Sequence, residues 1–156
     1  MARFSDGLRD CGFACGAARY HEHLPGDGSD RIVVYLSLAD GPVYPFVIDT
    51  GAPWTVVNPE VADSLHRGME PLSILGDCPP RMHIRGNLCR GSLHKVGVQL
   101  RADSGVSLFL DSVTVFVPDL DEVTVRLPNF LGMRTFLDFI RFAIDPAELV
   151  FYFGQP

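Results

Sequence analysis

Phe46-Val47-Ile48-Asp49-Thr50-Gly51-Ala52 is the stretch whose reading decides the fold. Phe46, Val47 and Ile48 form an apolar run with no polar alternation, the pattern of a strand buried on both faces. The run delivers one carboxylate, Asp49, into a turn. Gly51 permits a tight turn and the close approach of a second backbone. The Thr50 hydroxyl can hydrogen-bond across such an approach. Asp-Thr-Gly alone is also ordinary turn chemistry. What sets this copy apart is the apolar strand before it, which would fix the acid at the end of a rigid, partly desolvated element.

The 156 residues suit one domain with a sizeable core. Hydrophobic residues make up 47% and charged residues 21%, which excludes a disordered chain. Net charge is −6 and the 13 basic residues are scattered, so no nucleic-acid surface is expected. No stretch approaches the roughly 20 apolar residues of a membrane span. The first residues carry no apolar signal core, which points to the cytoplasm. Without secretory context the four cysteines read as free thiols.

Residues 1–30 read as an N-terminal tail, weakly structured or packed on the domain, with a Gly- and Asp-rich loop at 25–30. Cys11, Cys15, His21 and His23 could bind zinc, but their spacing matches no finger. No metal and no cofactor is assigned.

The domain proper runs over residues 31–154. Strands are expected at residues 32–38 and 43–49, joined as a hairpin through Asp40-Gly41-Pro42. Residues 54–57 form a third strand. Asn58 is a good N-cap and Pro59 suits a first helical position, giving a short helix over 59–65. Residues 68–80 are a Gly- and Pro-rich connection. Residues 81–93 read as a hairpin that projects as a lid, turning at Arg85-Gly86-Asn87 with its tip near Gly86, where Gly86 and Asn87 both tolerate positive φ. Two further strands, 94–100 and 106–117, flank a polar turn containing Asp103-Ser104-Gly105. That second Asp-Ser-Gly is a decoy: no buried strand precedes Asp103, and hairpin-turn chemistry explains it.

Near the C-terminus, Phe130-Leu131-Gly132 is an apolar pair and a glycine, followed by an expected short amphipathic helix with Met133, Phe136, Leu137 and Ile140 on one face. A strand over 140–144, a turn at Asp145-Pro146, and a closing strand over 149–153 complete the chain.

Val47-Ile48-Asp49-Thr50-Gly51-Ala52 followed by Phe130-Leu131-Gly132 resembles the retropepsin-like aspartic proteases. Their pattern is apolar-apolar-Asp-Thr/Ser-Gly-Ala/Ser, a flap hairpin, then apolar-apolar-Gly before a short helix. The resemblance covers residues 31–154. It implies a mostly β, closed acid-protease barrel with one or two short helices. It implies Asp49, Thr50 and Gly51 as the catalytic turn, and residues 81–93 as the flap. Ala52, Ile84, Gly86 and Asn87 are the expected substrate contacts, with Val47, Ile48, Trp54 and Val115 as further pocket lining. In viral members an Asp after Asp-Thr-Gly-Ala pairs with an Arg after the later glycine. Here those positions are Pro53 and Met133, so that contact does not carry over. The Gly-rich flap tip of viral members is missing too.

The chemistry of such a site needs two carboxylates sharing one proton, one acting as base for a water and the other polarising the carbonyl. The chain offers one suitable Asp, which implies a homodimer with two-fold symmetry. An extended peptide or protein segment is the expected substrate. Strand pairing by residues 149–153 or by the N-terminal segment is expected at the interface. The alternative is a non-catalytic peptide-binding dimer on the same fold. The intact Asp-Thr-Gly argues against it, because keeping a desolvated acid pair is costly.

Overall fold

The computed structural model describes residues 4–65, 69–71, 80–119, 121 and 127–156. A short helix, α1 (Phe4–Asp10), leads into β1 (Gly16–Arg19). Then follow β2 (Val33–Leu38), β3 (Val43–Asp49), β4 (Thr55–Val56), α2 (Pro59–Ser64) and β5 (Met69–Pro71). A long hairpin is built from β6 (Arg81–Ile84) and β7 (Asn87–Leu100), followed by β8 (Ser104–Gly105) and β9 (Leu108–Pro118). β10 (Asn129–Gly132), one 3-10 turn at Leu137–Phe139, β11 (Arg141–Asp145) and β12 (Val150–Gly154) end the chain. Among the described residues no helix is long and apolar enough to cross a membrane.

Six strands close into a mixed barrel in the order β2-β3-β10-β4-β9-β7, and β2 pairs with β7 to shut the ring. The fold is the mostly β, closed barrel expected from the sequence. Two of its pairings are parallel, β3 with β10 and β4 with β9; the other pairings in the ring are antiparallel. The β2–β3 hairpin follows its turn signals, with Val33 opposite Val47 and Ser37 opposite Val43. Helix α2 starts where the cap chemistry places it: the Asn58 side chain accepts from the Glu60 amide at 2.8 Å, and Pro59 occupies the first turn.

A second sheet, β11-β12-β1-β8, lies against the barrel. β12 alternates across it as strand geometry requires. Phe151 and Phe153 join the main core with Leu36, Phe46, Leu131 and Phe136, while Tyr152 faces Ala14 and Ala17. β12 is paired with β11 on one edge and with β1 on the other. The closing strand, offered above as an interface element, therefore has both edges occupied within its own chain. β1 is taken up in the same way, by β12 along its length and by β8 at Gly16 and Ala17.

The decoy motif belongs to this second sheet. Asp103 accepts the Arg19 amide at 2.7 Å through Oδ2 and donates its own amide to the Ala17 carbonyl at 2.9 Å. Its carboxylate ties β1 to the β7–β9 turn.

The segment after β10 differs from the expected amphipathic helix. The Met133 and Arg134 amides donate to the Ala52 and Pro53 carbonyls, at 2.7 and 3.1 Å, and not to a helical ladder. Those bonds hold residues 133–136 in turns, and only Leu137–Phe139 coils. Phe136, Leu137 and Ile140 are buried as expected, but Met133 is exposed.

Gly132 marks the closest backbone crossing of the barrel. A Cβ there would lie 2.2 Å from the Trp54 carbonyl carbon and oxygen. Gly132→Ala is expected to destabilise the fold by about 1–3 kcal/mol or more, since the obstacle is backbone and cannot rotate away. Gly28→Ala, where a Cβ meets nothing within 4 Å, should be near neutral. Urea unfolding of both variants checks the contrast.

Candidate functional site

The parallel pairing of β3 and β10 builds the site. Val47 lies opposite Phe130, Ile48 opposite Leu131 and Asp49 opposite Gly132. The two motifs, far apart in sequence, thus run side by side and end together. Asn129, buried at the start of β10, secures this register from its side chain. It donates to the Pro45 carbonyl at 3.2 Å and accepts the Asn58 amide at 2.8 Å.

At the end of β3 the chain turns tightly. The Ala52 amide donates to the Asp49 carbonyl at 3.2 Å, and the Gly51 amide donates to the Asp49 carboxylate Oδ1 at 3.0 Å. The carboxylate is therefore oriented by its own turn, and it is partly buried. Thr50 is exposed at the turn's apex, and Ala52 is buried beneath it.

Two threonines brace the turn from below. The Gly132 amide donates to Thr55 Oγ1 at 3.2 Å, and the Thr55 amide donates to Thr135 Oγ1 at 2.7 Å. Thr55 is 1% exposed, so its hydroxyl depends on this bond for satisfaction. Sequence reading found neither threonine as a site element: Thr55 looked like any β-branched strand residue, and Thr135 lay in the expected helix.

The hairpin β6–β7 roofs the site. Its closing pair is Ile84 opposite Asn87, so the two turn residues are Arg85 and Gly86, at φ 50° and 83°. This falls within the expected Arg85-Gly86-Asn87 turn, with Asn87 already the first residue of β7. A two-residue hairpin of this hand needs positive φ at both central positions, and the alternation of the strand fixes which residues those are. Met82 and Ile84 pack inward on a cluster with Ala52, Val56, Phe116 and Leu127. Sliding the register by one residue would turn Met82 out into solvent. Beyond the turn, β7 runs without a break into the barrel wall, so the roof and the wall share a strand.

A groove of about 900 Å³ lies between turn and hairpin. Asp49, Gly51, Ala52 and Ile84 line it, together with Val47, Ile48 and Trp54. Gly86 and Asn87, expected as substrate contacts, are not in its lining, because they sit at and beyond the tip. Val115 is fully buried in the core and also does not reach the groove. Four arginines of the lining, Arg31, Arg81, Arg85 and Arg134, went unnoticed in the sequence, since no periodic pattern connects them.

A second carboxylate, Asp27, reaches the groove from the loop before β2. Its Oδ1 accepts the Ser29 hydroxyl at 2.6 Å and the Ser29 amide at 2.9 Å. These bonds hold its carboxyl below the usual carboxylate range, and the charges of Arg31 and Arg85 act in the same direction. Asp27 is thus committed to local loop structure.

The N-terminal thiols and imidazoles do not converge. His21 packs edge-on against Tyr35 at 5.0 Å, His23 faces Asp30, and Cys15 approaches the Val106 carbonyl. Among the described residues no three metal-ligating side chains cluster.

No family model and no curated protein matches the sequence. Among the solved structures that match, two are the following. A retropepsin-like aspartic protease from Rickettsia conorii is 15% identical, with a TM-score of 0.53 over 90% of this chain and 94% of that one. EIAV protease, complexed with the inhibitor HBY-793, is 14% identical, with a TM-score of 0.48 over 74% of this chain and 93% of that one. Together with the closed mixed barrel and the paired ends of β3 and β10, the match to the Rickettsia structure gives the conclusion: this chain has the retropepsin-like aspartic protease fold.

Proposed function

We propose that the protein is an aspartic endopeptidase that hydrolyses peptide bonds as a homodimer. The observation that carries this reading is Asp49: a carboxylate oriented by the Gly51 amide, at the end of a barrel strand, in a groove roofed by a hairpin. The groove, about 900 Å³ between turn and hairpin, has room for a peptide segment held partly through its main chain.

The reaction needs a base for water and an acid for the carbonyl oxygen. Asp27 is held by Ser29 and flanked by arginines, so it is not the second member of the pair. That member is Asp49 of a second copy, brought up across a two-fold axis beside the exposed Thr50 turn. One ionised carboxylate takes a proton from water as the oxygen attacks the scissile carbonyl. The protonated partner gives its proton to the carbonyl oxygen, forming a tetrahedral diol. In the collapse, the carboxyl that took water's proton gives it to the departing nitrogen as the C–N bond breaks, and the now ionised partner takes a proton from a diol hydroxyl as the carbonyl re-forms, restoring the pair. Peptide recognition without cleavage is the rival function on the same architecture.

In this assembly Met133 and Phe139, both exposed, lie on the segment that follows Gly132, the register partner of Asp49. Met133 is tied to the turn through its amide, and its exposed side chain offers apolar surface there in place of the end-strand pairing that β12, with both edges paired, cannot offer.

Asp49→Asn is expected to abolish cleavage of a peptide library while leaving the fold and assembly intact, because the change is nearly isosteric. Asp103→Asn should lose only about 0.5–1.5 kcal/mol of stability and keep its activity. Cleavage by Asp49→Asn at the parent rate would overturn the proposal.

Activity per chain should fall on dilution through the dimer dissociation constant, by mass action. Thr50→Ala should weaken the dimer by about 1 kcal/mol for each hydroxyl hydrogen bond lost at the axis. Sedimentation and activity measured over the same concentration series check both. Peptide hydrolysis by a strictly monomeric species would rule out the shared pair.

A further inference from the structure

The charge of the groove is opposite to that of the chain. The chain carries −6, yet the groove is lined by four arginines against two carboxylates. The arginines come from three separate places: Arg31 ahead of β2, Arg81 and Arg85 on the hairpin, and Arg134 after β10. All four are exposed, and among the described residues none of their guanidiniums is in an ion pair within 4 Å. Arg31 donates from Nη1 to the Asp30 carbonyl at 3.0 Å and, with Arg85, acts on the Asp27 carboxylate, while among the described residues Arg81 and Arg134 have no such carboxylate beside them. Arg134 is fixed beside the catalytic turn through its amide, which donates to the Pro53 carbonyl at 3.1 Å.

Position along the hairpin separates apolar from basic. Met82 and Ile84 pack inward toward Ala52, while Arg81 is exposed on the alternate face and Arg85 sits at the turn. The groove therefore has an apolar centre beside Asp49 and a basic rim on both the hairpin side and the turn side. Guanidinium groups bind carboxylates through a planar fork of donors, and a free one on a groove rim is a ready partner for an acidic side chain.

We propose that the groove selects extended peptides in which acidic side chains flank an apolar centre. The inference rests on the peptide-cleft reading above and adds the substrate's charge to it. An extended chain projects alternate side chains to opposite sides, so a segment with its apolar residues over Ala52 and Met82 presents its neighbours to the rim. A nucleic acid fits less well, because the apolar centre and the two carboxylates lie in the path of a phosphate backbone.

Binding can be read without turnover in the Asp49→Asn protein. Three fluorescent decapeptides of identical apolar centre, flanked by Glu, Gln or Lys, would be titrated by anisotropy near neutral pH. The Glu-flanked peptide should bind about 1.5- to fivefold more tightly per acidic residue than the Gln-flanked one, the range of exposed ion pairs. The advantage should shrink as salt rises from about 0.05 to 0.5 M. Arg81→Glu/Arg85→Glu should reverse the order toward the Lys-flanked peptide, and Arg134→Glu should do so independently from the other wall. Equal binding of the Glu and Gln peptides, tightest binding of the Lys peptide to the parent, or tighter binding of a single-stranded oligonucleotide would each overturn the proposal. Selective binding of the Glu peptide without its cleavage by the Asp49 protein would support this inference and remove the protease reading.

Discussion

The structure depends on one close backbone crossing. β3 and β10 run parallel with Asp49 opposite Gly132, and at that point the Trp54–Thr55 peptide passes within 2.2 Å of where a Cβ would stand. Three backbone segments meet where only hydrogen fits. The crossing lets Met133 and Arg134 donate to Ala52 and Pro53, and it lets Thr55 satisfy the Gly132 amide. Each of these bonds closes the turn that carries the carboxylate. The acid is thus held by backbone geometry, with side chains serving mainly as braces.

The hairpin adds the second constraint. Met82 and Ile84 are seated on the cluster that contains Ala52, so the roof is registered against the same turn that carries Asp49. The continuity of β7 from hairpin to barrel couples the roof to the wall. Floor and roof are two ends of one packed unit. The groove between them is defined by the barrel's own closure, and its basic rim is drawn from segments that the barrel merely brings together.

The second sheet bears on assembly. Many one-lobed architectures would leave a terminal strand with an open edge, and such edges attract partners. Here β1 is inserted beside β12, and Asp103 locks the insertion by accepting the Arg19 amide. The second Asp-Ser-Gly motif is a structural clamp. In the proposed dimer the contact would run through the Asp49–Gly51 turn, since β12 has both edges paired within its own chain.

The sequence by itself determined several local elements and singled out Asp49 as the acid at the end of an apolar strand. Phe46 to Ile48 read as a buried strand, Asn58-Pro59 as the start of a helix, and Phe130-Leu131-Gly132 as an apolar pair with a glycine suited to close packing beneath the turn. These are properties of a few adjacent residues, and adjacent residues are what a sequence displays. Other features were decided by the tertiary structure alone. Gly16–Arg19 has no strand propensity worth the name and is a strand because β12 offers it a ladder. Met133 is exposed because its amide is spent on Ala52 and not on a helix. Arg31, Arg81, Arg85 and Arg134 share one groove only after the barrel has closed. In each case the deciding partner is distant in the chain, and no local propensity encodes a contact with it.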